Sequence, residues 1–313
     1  MKLTRRQIVT ALPLAGMGWG GLARAKGKFR VVTTTEDLAS LTREVGGEHV
    51  SAEAIARGYQ DPHFVEPKPS FIMKLHRADL LILVGLQLEI GWLPPLMNQS
   101  RNAKIHSAQG YLDTSRFAEI LQKPVGAVSR AMGDVHPLGN PHYHLDPNNG
   151  RRIAAAIRDK LAENMPDFTD YFRQRFQEFD AKLTKADRGW VEKMAPYHGR
   201  QVITYHQSWP NFAEHFGIEV AGYIEPLPGI PPTPKHTMAL IEQMKSHKIK
   251  MIWYEPYFDS KTPEAIANAV GGEAIVMLPS VGGRKEVTDY FKLFDYDIGL
   301  VTSSFDRLDH QGS

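Results

Sequence analysis

The run ADLLILVGL, residues 78–86, has no polar face once Asp79 is passed. A strand with one wet side alternates apolar and polar residues, so an unbroken apolar run of this length reads as a strand covered on both sides. Parallel sheets provide that, because their crossover helices lie on either face. The chain supplies the helices this strand requires. Upstream, Arg30–Thr34 is short and β-branched, and Leu38, Leu41 and Val45 recur at helical steps through 36–45 before Gly46-Gly47 stop them. Residues 51–55 alternate again and residues 70–76 read as a helix, while NAKIHSA, residues 102–108, reads as one more short strand. Strand and helix in alternation predict an open, mainly parallel sheet.

The same order returns later. GRQVITYH, IEVAGYIEP, IKMIWYEP and EAIVMLPS read as strands, with helices over SWPNFAEHFG, TPKHTMALIEQMKSHK and TPEAIANAVGG between them. Between the two series lies a long helical stretch, NNGRRIAAAIRDKLAENM up to Pro166 and then DFTDYFRQRFQEFDAKLTKADRGWVEKM up to Pro196. In it Phe168, Phe172, Phe176, Phe179 and Leu183 recur at steps of three to four, one apolar face that we assign to core packing. The fold class is therefore α/β: two lobes, each a mainly parallel sheet flanked by helices, with a long helix between. The expected divisions are residues 26–165, a linking helix 166–196, and residues 197–313.

The first 25 residues read as a signal peptide. Lys2, Arg5 and Arg6 precede an uncharged, mostly apolar run from Ile8 to Ala23, which closes on the small-x-small pattern Ala23-Arg24-Ala25. The run is shorter and richer in glycine than the ~20 apolar residues of a membrane span. Adjacent Arg5-Arg6 suit the twin-arginine export route, with general secretion or an uncleaved anchor as alternatives. The expected location is the periplasm. A net charge of +2 gives no reason to expect nucleic acid or an anionic membrane as partner. The absence of cysteine excludes disulfides, thiolate metal sites, Fe–S clusters and cysteine nucleophiles, so a transition-metal site here must be built from imidazole and carboxylate.

In open α/β sheets, ligands bind beyond the carboxyl ends of the strands. His206 ends QVITYH, Glu225 ends VAGYIE and Glu255 ends MIWYE. His63 lies in the loop GYQDPHFVEPKPS, stiffened by Pro62, Pro67 and Pro69, and His142 follows Pro141 in GNPHYHLDPNNG. Histidine at a strand end is often merely solvated or hydrogen-bonded, and spacing alone leaves that reading open beside a metal site.

Several of these blocks, taken in order, resemble a known family. DPHFVEPKPSFIMKLHRADLLILVGLQLE, NPHYHLDPNN, ITYHQSWPNFAEHFG and MIWYEPYFDSKTPEAIA are similar to successive blocks of the zinc- and manganese-binding proteins of bacterial ABC importers, the family related to ZnuA, TroA and PsaA. The resemblance covers nearly all of the chain after the leader. It implies a C-shaped pair of lobes on a rigid helix, with a metal ion in the cleft between them. It also implies His63, His142 and His206 as ligands, and a monomer that docks on a membrane permease. His144 falls where the family carries a non-ligand residue, and is an alternative to His142. Asp146 is expected to orient the loop or a ligand ring. Where the family places a ligating carboxylate, this chain has Leu278, so the fourth position falls to Glu225, Glu255 or water. The long His/Asp-rich loop of many zinc carriers is missing, with His136 and Asp134 alone in that region. Imidazole-rich donors favour Zn2+ over Mn2+. The rival readings are an exported metal-dependent hydrolase, with Glu225 or Glu255 as base, and a metal-binding adhesin or chaperone on the same fold.

Overall fold

The computed structural model describes residues 27–126, 133 and 135–310. The leader expected over residues 1–25, with Arg5-Arg6, lies outside them, and so does Asp134.

Two four-stranded parallel sheets carry the chain. The first orders β1 (Phe29–Thr33), β2 (Val50–Ala54), β3 (Leu80–Leu83) and β4 (Tyr111–Asp113) as β2-β1-β3-β4. The second repeats that order with β5 (Gln201–Thr204), β6 (Glu219–Tyr223), β7 (Met251–Tyr254) and β8 (Glu273–Val276), as β6-β5-β7-β8. Every pairing is parallel. The apolar run behaves as its composition requires: Leu80 and Ile82 of β3 enter the central core, and Leu81 and Leu83 a second cluster on the outer face with Trp92 and Leu96.

Helices α1 (Glu36–Gly46), α2 (Pro69–Arg77) and α3 (Leu93–Ser100) flank the first sheet. Helices α6 (Pro210–Phe216), α7 (Pro234–His247) and α8 (Lys261–Ala269) flank the second. Between them run α4 (Pro147–Asn164) and α5 (Thr169–Met194). At 26 residues α5 is about 39 Å long, enough to span both lobes. Phe172, Phe179 and Leu183 of its apolar face are buried as the stripe predicts. Phe168 departs from the stripe: it precedes the helix, is 37% exposed and stacks on His49.

Residues 102–108 do not form the strand their alternation suggests. Residues Lys104–His106 make a 3₁₀ turn, and the fourth strand is β4, further on. The Asn102 amide donates to the carbonyls of Leu75 and Ala78, both at 2.7 Å, and its oxygen accepts from the Lys104 N–H at 3.1 Å. Side-chain bonds of this kind satisfy backbone groups that a ladder would otherwise use.

After β8 the chain returns to the first lobe. Buried Asp37 of α1 accepts from the Val281 N–H at 2.9 Å and from the Ser280 hydroxyl, and Tyr290 N–H donates to Ser40 Oγ at 3.0 Å. The last helix, α9 (Tyr290–His310), then packs on α5, where Trp190 Nε1 donates to Asp295 at 2.8 Å. One hydrophobic cluster therefore runs without a break from Val31 and Leu41 through Leu183 and Phe294 to Trp253. Such a shared core resists independent movement of the lobes, because opening it would expose apolar surface at roughly 25 cal/mol per Å².

Candidate functional site

The carboxyl ends of both sheets face the same cleft. His206 lies two residues past β5, where the Thr204 hydroxyl donates to its carbonyl at 2.7 Å and fixes the turn. His63 sits in the loop after β2, anchored by Trp92 Nε1 donating to the Pro62 carbonyl at 2.9 Å. His142 lies just before α4, its N–H donating to Asn140 Oδ1 at 2.8 Å. The Asn140 amide in turn donates to the Gln207 carbonyl at 2.7 Å, stitching this loop to the turn that carries His206.

These three rings come together. Their centroids form a nearly equilateral triangle: 5.4 Å from His63 to His142, 5.3 Å from His63 to His206, and 5.6 Å from His142 to His206. One ring nitrogen from each lies within 4.8 Å of the others, the one such group of potential metal ligands among the described residues. Hydrogen bonding decides which nitrogen. His63 Nδ1 is 2.7 Å from Asp61 Oδ1 and His206 Nδ1 is 2.7 Å from Glu225 Oε2, so the Nε2 lone pairs of both rings are left for the cleft. His142 Nε2 is buried with no hydrogen-bond partner. A buried polar atom without a partner is costly unless a ligand satisfies it.

The electrostatics favour a neutral, lone-pair-bearing His142 and pull His206 the other way. Burial holds the His142 pKa well below the usual imidazole value, with the charges of His63 and His206 adding to it. Burial lowers His206 too, but the Glu225 hydrogen bond and the Glu255 and Glu225 charges outweigh it, and the net shift is upward. Asp61 shows the reverse balance: burial raises it, and the hydrogen bonds and charge of His63 bring it below its ordinary value.

The carboxylates expected as fourth ligands are not part of the converging group, although Glu255 Oε2 is buried with no hydrogen-bond partner. Glu225 Oε2 accepts from His206 Nδ1 and from the Gly229 N–H at 3.1 Å, which places it behind the ring rather than beside the trio. Glu255 is fully buried, with Oε1 accepting from Trp209 Nε1 at 3.0 Å, and burial raises its pKa to about 7. Neither belongs to the converging group. A position at a strand's carboxyl end is common to all of them, but the hydrogen bond each side chain finds sets its direction.

His144 and Asp146 both stand outside the converging group. Residues Tyr143–Leu145 form a 3₁₀ turn, so the two rings diverge and His144 Nε2 meets the Pro279 carbonyl at 2.9 Å. Asp146 caps α4 by accepting from the Asn148 N–H at 2.8 Å, and its carboxylate pairs with His215. Asp61 and His136 both contact His63, and sequence reading gave neither a role at the site. The Asp-Pro-His spacing could have pointed to Asp61, since an acceptor two residues ahead of a histidine can reach its ring. No local pattern marks His136, whose Nε2 lies 3.1 Å from His63 Nε2.

Comparison with known proteins gives one family and a consistent fold. The family described as ZnuA, zinc-uptake complex component A, periplasmic, matches residues 31–302. The zinc-binding lipoprotein AdcA of Streptococcus pneumoniae is 24% identical over 271 residues, 85% of this chain but 52% of AdcA, so the chain spans about half the length of that relative. The manganese ABC transporter substrate-binding lipoprotein PsaA of Streptococcus mitis is 24% identical over 282 residues, 88% of each chain. Among solved structures, a crystal structure of ZnuA superposes with a TM-score of 0.75 at 24% identity, covering 88% of this chain and 99% of that one. The laminin-binding protein of Streptococcus agalactiae, titled a bifunctional protein with adhesin and metal transporting activity, superposes with a TM-score of 0.71 at 19% identity, covering 88% and 99%.

Proposed function

The chain belongs to the ZnuA family, the periplasmic component of zinc-uptake complexes, and from that membership we propose that it captures zinc between its lobes and delivers it to the permease of an ABC importer. Family members are substrate-binding components of transporters and not enzymes. The proposed ligands are His63, His142 and His206, with Asp61 and Glu225 holding two of the rings by their Nδ1 atoms. The observation that carries this reading is the triangle of three imidazoles drawn from both lobes, with the buried His142 Nε2 lacking any other partner.

The choice of zinc rests on donor chemistry. Relatives of equal identity are named for zinc and for manganese, so likeness does not decide between them. Imidazole nitrogen suits zinc, whereas manganese prefers oxygen donors. Carboxylates that accept from the far nitrogen of a ligating histidine fix its tautomer and raise its basicity, a usual arrangement around zinc. The ion is cargo. Residues 1–25 are proposed to direct the chain out of the cytoplasm, by the twin-arginine or the general route, and the working form is proposed to be a monomer. Among the described residues no helix is long and apolar enough to cross a membrane.

Chelator-stripped protein titrated with Zn2+ and Mn2+ tests the reading. One ion should bind per chain, zinc far more tightly than manganese, and His63→Ala and His206→Ala should each weaken zinc by at least about 100-fold. Tighter binding of manganese, or full zinc affinity in His206→Ala, overturns it.

A further inference from the structure

Three imidazoles leave a four-coordinate zinc one donor short, and Leu278 cannot supply it. His136 stands beside His63 and outside the group of three, so coordination would draw its ring toward His142 and His206. Its Nε2 lies 3.1 Å from His63 Nε2, the two ring centroids are 5.2 Å apart, and its side chain lines the same pocket as His142, His206, Asn140 and Gln207. The protons of both rings are accounted for. His136 Nδ1 is 3.0 Å from the Leu86 carbonyl, which can only accept, so Nδ1 donates there. His63 Nδ1 donates to Asp61. In neutral rings the two Nε2 atoms at 3.1 Å are then both bare lone pairs, and no hydrogen bond can join them. Around a tetrahedral zinc with nitrogens at about 2.0–2.1 Å, neighbouring donors stand about 3.3 Å apart. The contact between His63 and His136 has the length of one edge of such a coordination sphere.

The backbone that orients His136 is itself unusual. Gly85, Leu86 and Gln87 have φ of 83°, 53° and 69°, a left-handed run in which two of three residues carry side chains. Buried Glu89 holds it in place by accepting from the N–H groups of Val84 and Gly85 at 2.8 and 3.1 Å. Strained backbone persists where the surrounding structure over-determines it, and such positions cluster at ligand sites. Here the run presents the Leu86 carbonyl to the far nitrogen of His136, as Asp61 and Glu225 are presented to His63 and His206.

We propose that His136 is the fourth ligand, which makes this a site of four imidazoles with no carboxylate in direct contact with the ion. This rests on the carrier reading above. It also gives a reason why the chain can carry leucine at 278: the donor lost from the second lobe is replaced by one from the first.

Two probes test it on the full mature chain, Zn2+ and Co2+. X-ray absorption of the zinc-loaded parent should fit four imidazole nitrogens, and the Co2+ form should show the intense visible bands of a tetrahedral ion. His136→Ala should weaken zinc by about 100-fold and reduce the Co2+ bands several-fold. His136→Asp, which restores a donor, should recover most of both, and that recovery separates ligand loss from damage to the loop. If His136→Ala keeps its zinc affinity within twofold and its Co2+ spectrum, while His206→Ala loses both, His136 is not a ligand and the carrier reading stands. If the parent itself binds neither ion, both proposals fall together.

Discussion

His215 provides a test of how the second lobe is tied to the helices between the lobes. It lies on α6, with Nδ1 3.1 Å from Asp146 Oδ1 at the start of α4 and Nε2 2.7 Å from Asp187 Oδ1 on α5. Only an imidazolium donates from both nitrogens, so the folded state favours the charged ring. Burial alone lowers its pKa, but the hydrogen bonds and charges of Asp146 and Asp187 outweigh that and raise it from 6.5 to about 9. The difference, 9 − 6.5 = 2.5 pKa units, corresponds to about 3.4 kcal/mol at 1.36 per unit. The ring is only 11% exposed, yet both carboxylates reach solvent at 16 and 19%, and screening brings the expected value down to about 2 kcal/mol. Because the folded pKa is the higher one, this contribution is complete below pH 6.5 and disappears as pH rises through 9. Urea unfolding of chelator-treated protein at pH 6 and pH 9.5 reads it, against His215→Gln. The parent should exceed the variant by about 2 kcal/mol at pH 6, or roughly 0.7 M in urea midpoint for a slope of about 3 kcal/mol/M, and the two should converge at pH 9.5. Stability profiles that run parallel across this window would refute the argument.

Three further outcomes follow from the structure. Glu225→Gln should weaken zinc binding by about 10- to 100-fold with the circular dichroism spectrum unchanged, because the carboxylate behind His206 is lost. Glu255→Gln should stay within about threefold, since an amide oxygen still accepts from Trp209; a loss as large as that of Glu225→Gln would instead make Glu255 a ligand. Gly58→Ala should destabilise the fold by about 1–3 kcal/mol in urea unfolding, because a Cβ there would lie 1.9 Å from the Val281 carbonyl oxygen and prise the returning segment from the first lobe. An unchanged midpoint would show that this contact is not maintained in solution.

Burial of whole faces is the part of the fold that can be read locally. Residues 78–86 announce a strand covered on both sides, and Phe172, Phe179 and Leu183 announce a buried helix face, because apolar side chains at a fixed period have one favourable destination. Residues 102–108 were misleading for a reason equally local in chemistry but distant in sequence: Asn102 finds the carbonyls of Leu75 and Ala78, and alternation carries no sign of that.

For the site, the sequence alone excluded thiolate donors, since there is no cysteine, and it put His63, His142, His206, Glu225 and Glu255 at loop mouths and strand ends. Tertiary structure decided which atoms face one another. Glu225 turned toward His206 Nδ1, Glu255 toward Trp209, and His136 toward His63 across 73 positions of chain. Backbone position follows from local pattern, but a polar side chain points to whichever partner offsets its loss of water, and those partners come from segments that only the folded chain brings together.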